Sequence, residues 1–390
     1  MPQRSLSIPS SKPIALVQSS PPKTLRPILI TGLWAIFFLG LFDVTVDHLF
    51  RYPTQPKDAA SASKLATYFE YGRSVEGKLD RMIGETDNNT TSVALAGWLD
   101  PVQWQRQDLP TRPAAGEQRL IACYGQSYTI DVAKSLHQLD ASNAIRMIAG
   151  PSAPPSYAYA AYQLDRGRQQ AKVVVLGVLA NSVPAMDAMN GMTWQFEGPA
   201  PFTFPRYTLK HNQLAEITPT LQTLEQFRGA RHNPAQWETF LHQLRQHDRY
   251  YNDFLFRKGW WDNSVLLRMV RRSLAQQQQM AISNQIHTSA GFTEGETLAT
   301  LRTLIGEFNK TAKADGKLPV VLLFNTKGYN DHLYQALRQT LGRNGIPYIS
   351  THAIAPASDL SNFVGDGHFT EVANHKIARA LLKLINEKIQ

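Results

Sequence analysis

The chain has 390 residues, 43% hydrophobic and 18% charged, which is the composition of a folded protein long enough to bury a sizeable core. Forty Lys and Arg stand against 31 Asp and Glu, giving a net charge of +9, but the basic residues are scattered, with no zinc-finger spacing, RNP-type aromatic motif or Arg-rich tract. The charge therefore reads as attraction to an anionic surface, such as lipid headgroups or acidic glycan, and not to nucleic acid, while the single cysteine, Cys123, excludes an intramolecular disulfide framework and any Cys-rich metal site.

Residues 1–26 are rich in Ser, Pro and Lys, lack any regular period, and read as a disordered cytoplasmic tail. The next run, PILITGLWAIFFLGLF (27–42), carries no charge, and its apolar character resumes across Asp43, so 27–48 is expected to be a transmembrane signal anchor. Arg4, Lys12, Lys23 and Arg26 precede it, whereas the charges after it are mixed, which keeps the N-terminus in the cytoplasm and puts the globular part in the periplasm or outside the cell. A cleaved signal peptide is the rival reading, but the small-residue site AASAS (59–63) lies far beyond the apolar run. Residues 49–115 read as a juxtamembrane helical region and linker, and 116–390 as the globular domain.

Within that domain, apolar runs alternate with helical patterns. RLIACYG (119–125), AIRMIAG (144–150), AKVVVLGVLANS (171–182), LPVVLLFN (318–325) and IPYISTH (346–352) are nearly continuous in apolar residues, as expected of strands covered on both faces. TIDVAKSLHQL, PSYAYAAYQLDRGRQQ, HLYQALRQTLGRNG and the terminal TEVANHKIARALLKLINEKI have helical spacing. The expected fold is α/β: a three-layer α/β/α sandwich on a parallel, flavodoxin-like sheet. The gap between the third and fourth strands is too long for one crossover, so 190–300 is read as a helical insertion beside the sheet, a subdomain or lid. Its aromatics, Tyr250, Tyr251, Phe254, Phe256, Trp260 and Trp261, either stack on sugar rings or form the insertion's own core, the commoner fate of such residues.

Ser127 falls at the corner between the first strand and the following helix, the functional edge of a parallel sheet. The free amides of a helix start can stabilise an oxyanion there; a serine or threonine at such a corner can equally be a plain N-cap. Near the other end of the chain, FVGDGHFTEVANHKIA places Asp366 and His368 in a Gly-rich turn before the last helix. Activating a hydroxyl needs a base that titrates near neutrality, which histidine supplies, and a carboxylate that fixes the histidine tautomer. Asp366 can alternatively be an ordinary turn or Asx cap. Gly150 and Asn181 end the second and third strands; they read either as ordinary turn residues or as a close-approach glycine and an amide donor.

In this order and at these strand ends, the residues resemble the SGNH (GDSL-like) hydrolase superfamily. Gly125, Gln126 and Ser127 match its first block, so Ser127 looks like the nucleophile, Gly150 like the oxyanion glycine, Asn181 like the third-block asparagine, and Asp366 and His368 like the final Asp-x-His. The resemblance covers about 115–185 and 318–390. Gln126 stands where the family has Asp, and GVLANS replaces Gly-x-Asn-Asp, which leaves Asn190 and Asn325 as rivals to Asn181. The resemblance implies an acyl-serine esterase or O-acetyltransferase without cofactor or metal, similar to membrane-anchored members that edit acetyl groups on envelope polysaccharide. Its partners would be an O-acylated carbohydrate or other ester, the membrane, and a membrane acyltransferase. The competing reading is an inactive envelope scaffold that keeps the fold and holds a membrane partner. Nucleotide binding lacks any Gly-rich phosphate loop, and the histidines form no HExxH or H-x-x-x-H pattern.

Overall fold

The computed structural model describes residues 25–198 and 200–389. The expected tail, 1–26, falls outside them except for its last two residues. Helix α1 (Leu25–Leu49) contains the apolar run. From Pro27 to Leu49 it runs 23 residues, about 35 Å of helix, and an 18-residue stretch of it has a mean hydropathy of 2.0, which is long and apolar enough to cross a bilayer once.

From Phe50 onward the chain forms a second compact unit. Ser63 and Ser74 cap helices α2 (Lys64–Glu70) and α3 (Val75–Met82) by accepting the amides of Ala66 and Gly77. Val75, Leu79 and Met82 are buried in the larger of two cores, together with Trp98 and Trp104. The stretch read from sequence as juxtamembrane region and linker thus contributes side chains to the same interior as the sheet.

The sheet is made of β1 (Arg119–Gly125), β2 (Asn143–Ala149), β3 (Val173–Leu179), β4 (Leu318–Phe324) and β5 (Tyr348–Ser350). Every pairing is parallel, in the order β2-β1-β3-β4-β5. The helices that cover it are α4 (Ser127–Leu139), α5 (Pro155–Asp165), α6 (Glu296–Ala314), α7 (His332–Arg343) and α8 (Glu371–Ile389). β1 and β3 are buried along their whole length, because alternate side chains enter different cores. Ile121 and Cys123 face the core built with α4 and α8, whereas Leu120, Ala122 and Tyr124 face the core that includes α5, α6 and α7. Helices therefore flank the sheet on both faces. After β1 the chain steps to β2 on one side and then returns past β1 to β3, so the strand order reverses between β1 and β3 and opens a crevice at their carboxyl ends.

Between β3 and β4 the chain forms more than helices. A hairpin pairs Arg206–Lys210 with Gln213–Ile217, and a shorter one pairs His287–Thr288 with Gly291–Phe292. Helices Leu224–Arg231, Pro234–His247 and Val265–Ile286 accompany them. Of the aromatics singled out from sequence, Tyr250 and Phe256 are buried in the larger core with Phe227, Trp237 and Phe240, while Trp260 is exposed. Tyr250 and Phe256 are thus packing residues.

Candidate active site

The corner after β1 is shaped by one threonine. A Cβ added to Gly125 or to Gly177 would lie 2.1 Å from the Thr129 hydroxyl oxygen in either case, so both neighbouring strands must be bare where Thr129 wedges against them. The backbone turns at Gln126, whose carbonyl accepts the amides of Thr129 at 2.8 Å and Ile130 at 3.1 Å. Ser127 opens α4, and helix geometry leaves the amides of its first turn without intrahelical partners, a positive end beside the hydroxyl.

The Ser127 hydroxyl does not cap the helix. Its oxygen lies 2.7 Å from Nε2 of His368, and Nδ1 of His368 lies 3.1 Å from Oδ1 of Asp366. A carboxylate only accepts, so Nδ1 carries the proton and Nε2 presents its lone pair to the serine O–H. The same Asp366 oxygen accepts the His368 backbone N–H at 3.1 Å, so the Asx-turn reading and the histidine-orienting reading both describe Asp366. The His368 amide first, then its ring, hold the Asp366 carboxyl below the usual carboxylate range. Asp366 is 69% exposed and His368 31%, so this charge is bathed in water.

The loop that carries His368 is closed by its own backbone. Val364 N–H donates to His368 O at 2.8 Å and Gly367 N–H to Val364 O at 3.0 Å, while Phe363 and Phe369 bridge and stack at 5.0 Å. Gly367 has φ +94, a conformation glycine adopts without a Cβ penalty. Tyr128, the residue after the serine, grips this loop from the helix side. Its ring stacks on His368 at 4.8 Å and 26°, and its hydroxyl donates to Gly367 O at 2.6 Å. Burial pushes the Tyr128 phenol up to about 12, so it stays a donor. Sequence reasoning missed Tyr128; its only signal was its place beside the serine.

The other expected residues divide. Gly150 follows β2 at the same sheet edge, but its N–H donates to Gly125 O at 3.1 Å, and an added Cβ would press on Phe202 at 3.0 Å. It is a packing glycine whose amide is engaged in the ladder. Asn181 lies exposed in the single turn Ala180–Ser182 just past β3, at the same sheet edge as the Ser127 corner, and among the described residues its amide makes no hydrogen bond. Its rivals are occupied: Asn190 donates to Pro201 O at 2.6 Å and caps Met192, and Asn325 donates to Ala355 O at 3.2 Å and accepts from Thr351. Gln126, 1% exposed, accepts the Thr129 hydroxyl at 3.3 Å and leaves its Nε2 buried without a partner.

The arrangement has the parts for nucleophilic chemistry. A hydroxyl is hydrogen-bonded to an imidazole whose tautomer is set by a carboxylate, beside a helix start. Among the described residues no cluster of three or more His, Cys, Asp or Glu is placed to hold a metal ion. No model of a known protein family matches the chain, and neither does any curated protein.

Proposed function

We propose that this protein is a serine-dependent ester hydrolase or O-acyltransferase of the SGNH (GDSL-like) kind, acting on O-acylated carbohydrate of the cell envelope through an acyl-serine. The observation that carries this reading is the continuous contact Ser127–His368–Asp366 at 2.7 and 3.1 Å. The strand order and the two helical layers support the three-layer, flavodoxin-like architecture expected from the alternation of strands and helices.

In this mechanism Ser127 Oγ attacks the ester carbonyl carbon as His368 Nε2 takes the hydroxyl proton. The carbonyl π electrons move to oxygen, and the oxyanion is met by the Ser127 amide at the helix start and by the Asn181 side chain. As the intermediate collapses, the ester C–O bond breaks and the imidazolium returns the proton to the departing alcohol. Water then repeats the sequence to release the acid, or a sugar hydroxyl does so to complete a transfer. α1 tethers the domain to a membrane, with its N-terminus in the cytoplasm and the domain in the periplasm or outside, where a membrane acyltransferase can supply acyl groups. The test is hydrolysis of p-nitrophenyl acetate together with labelling by a fluorophosphonate probe. Both are expected for the wild type and neither for Ser127→Ala.

The second reading, an inactive scaffold that holds a membrane partner, draws on the engaged Gly150 amide and on Gln126 in place of an acid. Absence of probe labelling in correctly folded wild-type protein would select it.

A further inference from the structure

A cavity of about 510 Å³ lies well away in sequence from the Ser127 site, walled by the first segments after α1. Tyr52 opens its lining, three residues past Leu49, which is at most about 11 Å of extended chain. Tyr52, Ala59, Met82 and Val93 give it an apolar side, and Lys57, Lys78 and Arg81 give it a cationic one.

Lys78 is the unusual member. It is 5% exposed, and its ammonium donates only to the carbonyls of Phe196 and Tyr71 while sitting 3.6 Å above the Phe196 ring. Arg81 is likewise held on carbonyls, those of Tyr52 and Pro53. Two carboxylates line the cavity, but each has its own guanidinium outside it: Glu70 is bound by Arg73 and Arg268, and Glu197 by Arg272 and Gln276. Among the described residues no carboxylate oxygen lies within ion-pair distance of Lys57, Lys78 or Arg81. Burial lowers Lys78 to about 7, with Glu70 and Glu197 pulling it upward and Arg271 downward. A buried ammonium without a contacting anion is costly, and the cost is removed when a ligand brings the anion.

We infer that this cavity binds the phosphate-bearing end of an anionic membrane amphiphile, phosphate toward Lys78 and Arg81 and the first carbons of its tails against Tyr52, Ala59, Met82 and Val93. The volume is that of a pocket for a ligand of drug-like size, well beyond a lone phosphate. The cavity walls follow directly in sequence on a helix long and apolar enough to sit in the bilayer where such amphiphiles reside. The assignment goes beyond the acyl-transfer reading and does not depend on it.

The test uses the full-length protein in a neutral maltoside detergent, titrated calorimetrically with dihexanoyl phosphatidic acid, with dihexanoyl phosphatidylcholine, and with inorganic phosphate. Saturable binding of the phosphatidic acid is expected, roughly tenfold or more tighter than either of the others. Lys78→Met, which keeps the stem and removes the charge, should weaken it by roughly ten- to a hundredfold. Ala59→Trp, which fills the apolar side, should abolish it while leaving the melting temperature at the wild-type level; it also carries the test should Lys78→Met fail to fold. Equal affinity for inorganic phosphate would reduce the cavity to a free-anion site, and equal affinity for phosphatidylcholine would make it a plain apolar trap. Either result, or binding untouched by Ala59→Trp, overturns the proposal.

Discussion

A serine that opens a helix ordinarily turns its hydroxyl back onto an amide two or three residues ahead. Ser127 instead gives its hydroxyl to an imidazole 241 residues away, and that contact is the one on which the proposed nucleophile role rests. The residue types were legible in the sequence: a hydroxyl at a strand-to-helix corner, and Asp-x-His in a Gly-rich turn. Which asparagine stays open to solvent was not, because Asn190 and Asn325 have the same composition as Asn181 and differ only in the carbonyls that fold onto them. Asp366 orients His368 from an exposed position, so water screens its charge and its contribution should fall at the lower end of the usual range. Asp366→Asn is expected to reduce turnover of p-nitrophenyl acetate by ~10²-fold, with KM nearly unchanged and the melting temperature unaltered. A variant with wild-type turnover would remove Asp366 from the mechanism.

Between elements, the contacts that set the site are steric as much as polar. Thr129 ties α4 to both β1 and β3, and it requires glycine at both Gly125 and Gly177. Gly177→Ala should destabilise the protein by about 1–3 kcal/mol in denaturant unfolding, because the new methyl group meets the Thr129 hydroxyl. In a Thr129→Ala background most of that loss should vanish, since the nearest atoms left are the residue-129 Cβ at 3.2 Å and Phe324 Cε2 at 3.3 Å from the added carbon. Additive effects in the double mutant would show that the clash lies elsewhere. A second tie joins the insertion to the segment after β3. Asp248 accepts from Met189 N–H at 2.8 Å, Thr193 Oγ1 at 2.7 Å and Tyr250 N–H at 2.9 Å. Burial outweighs these donors and raises its carboxyl to about 6. The folded state therefore holds this proton more tightly than the unfolded chain does. The resulting stability, up to ~3 kcal/mol, is fully present below pH ~4 and is lost as pH rises to about 6. Measured by urea unfolding, Asp248→Asn should flatten the fall in stability across that window; an unchanged slope would assign the pH dependence to other groups.

For the whole molecule, the order β2-β1-β3-β4-β5 puts the carboxyl ends of β1 and β3 side by side at the reversal point, so that Ser127 and Asn181 both follow strands at one edge of the sheet. The compact unit from Phe50 onward includes α3, Trp98 and Trp104 in its core, so a fragment beginning near residue 116 would lack part of that interior. Residues 50–390 are expected to express as a soluble protein that melts within ~3 °C of the full-length chain in detergent and keeps its ester hydrolysis. Residues 116–390 should aggregate or melt far lower, and equal stability of the two fragments would mean that 50–115 is only appended to the core.

The sequence by itself determined the apolar helix, the parallel strands and the helices around them, and the residue types at Ser127, Asp366 and His368. Hydrophobic period, turn chemistry and helix starts act over a few residues and can be read there. The tertiary structure alone decided that Ser127 meets His368, that the Gly150 amide is consumed by Gly125, that Tyr128 backs the histidine, and that Val75, Leu79, Met82, Trp98 and Trp104 belong to the core. Each of these depends on which distant segments share a face or an edge, and strand order and packing settle that by burying the most surface with every buried amide paired, a condition on the whole chain that no local pattern carries.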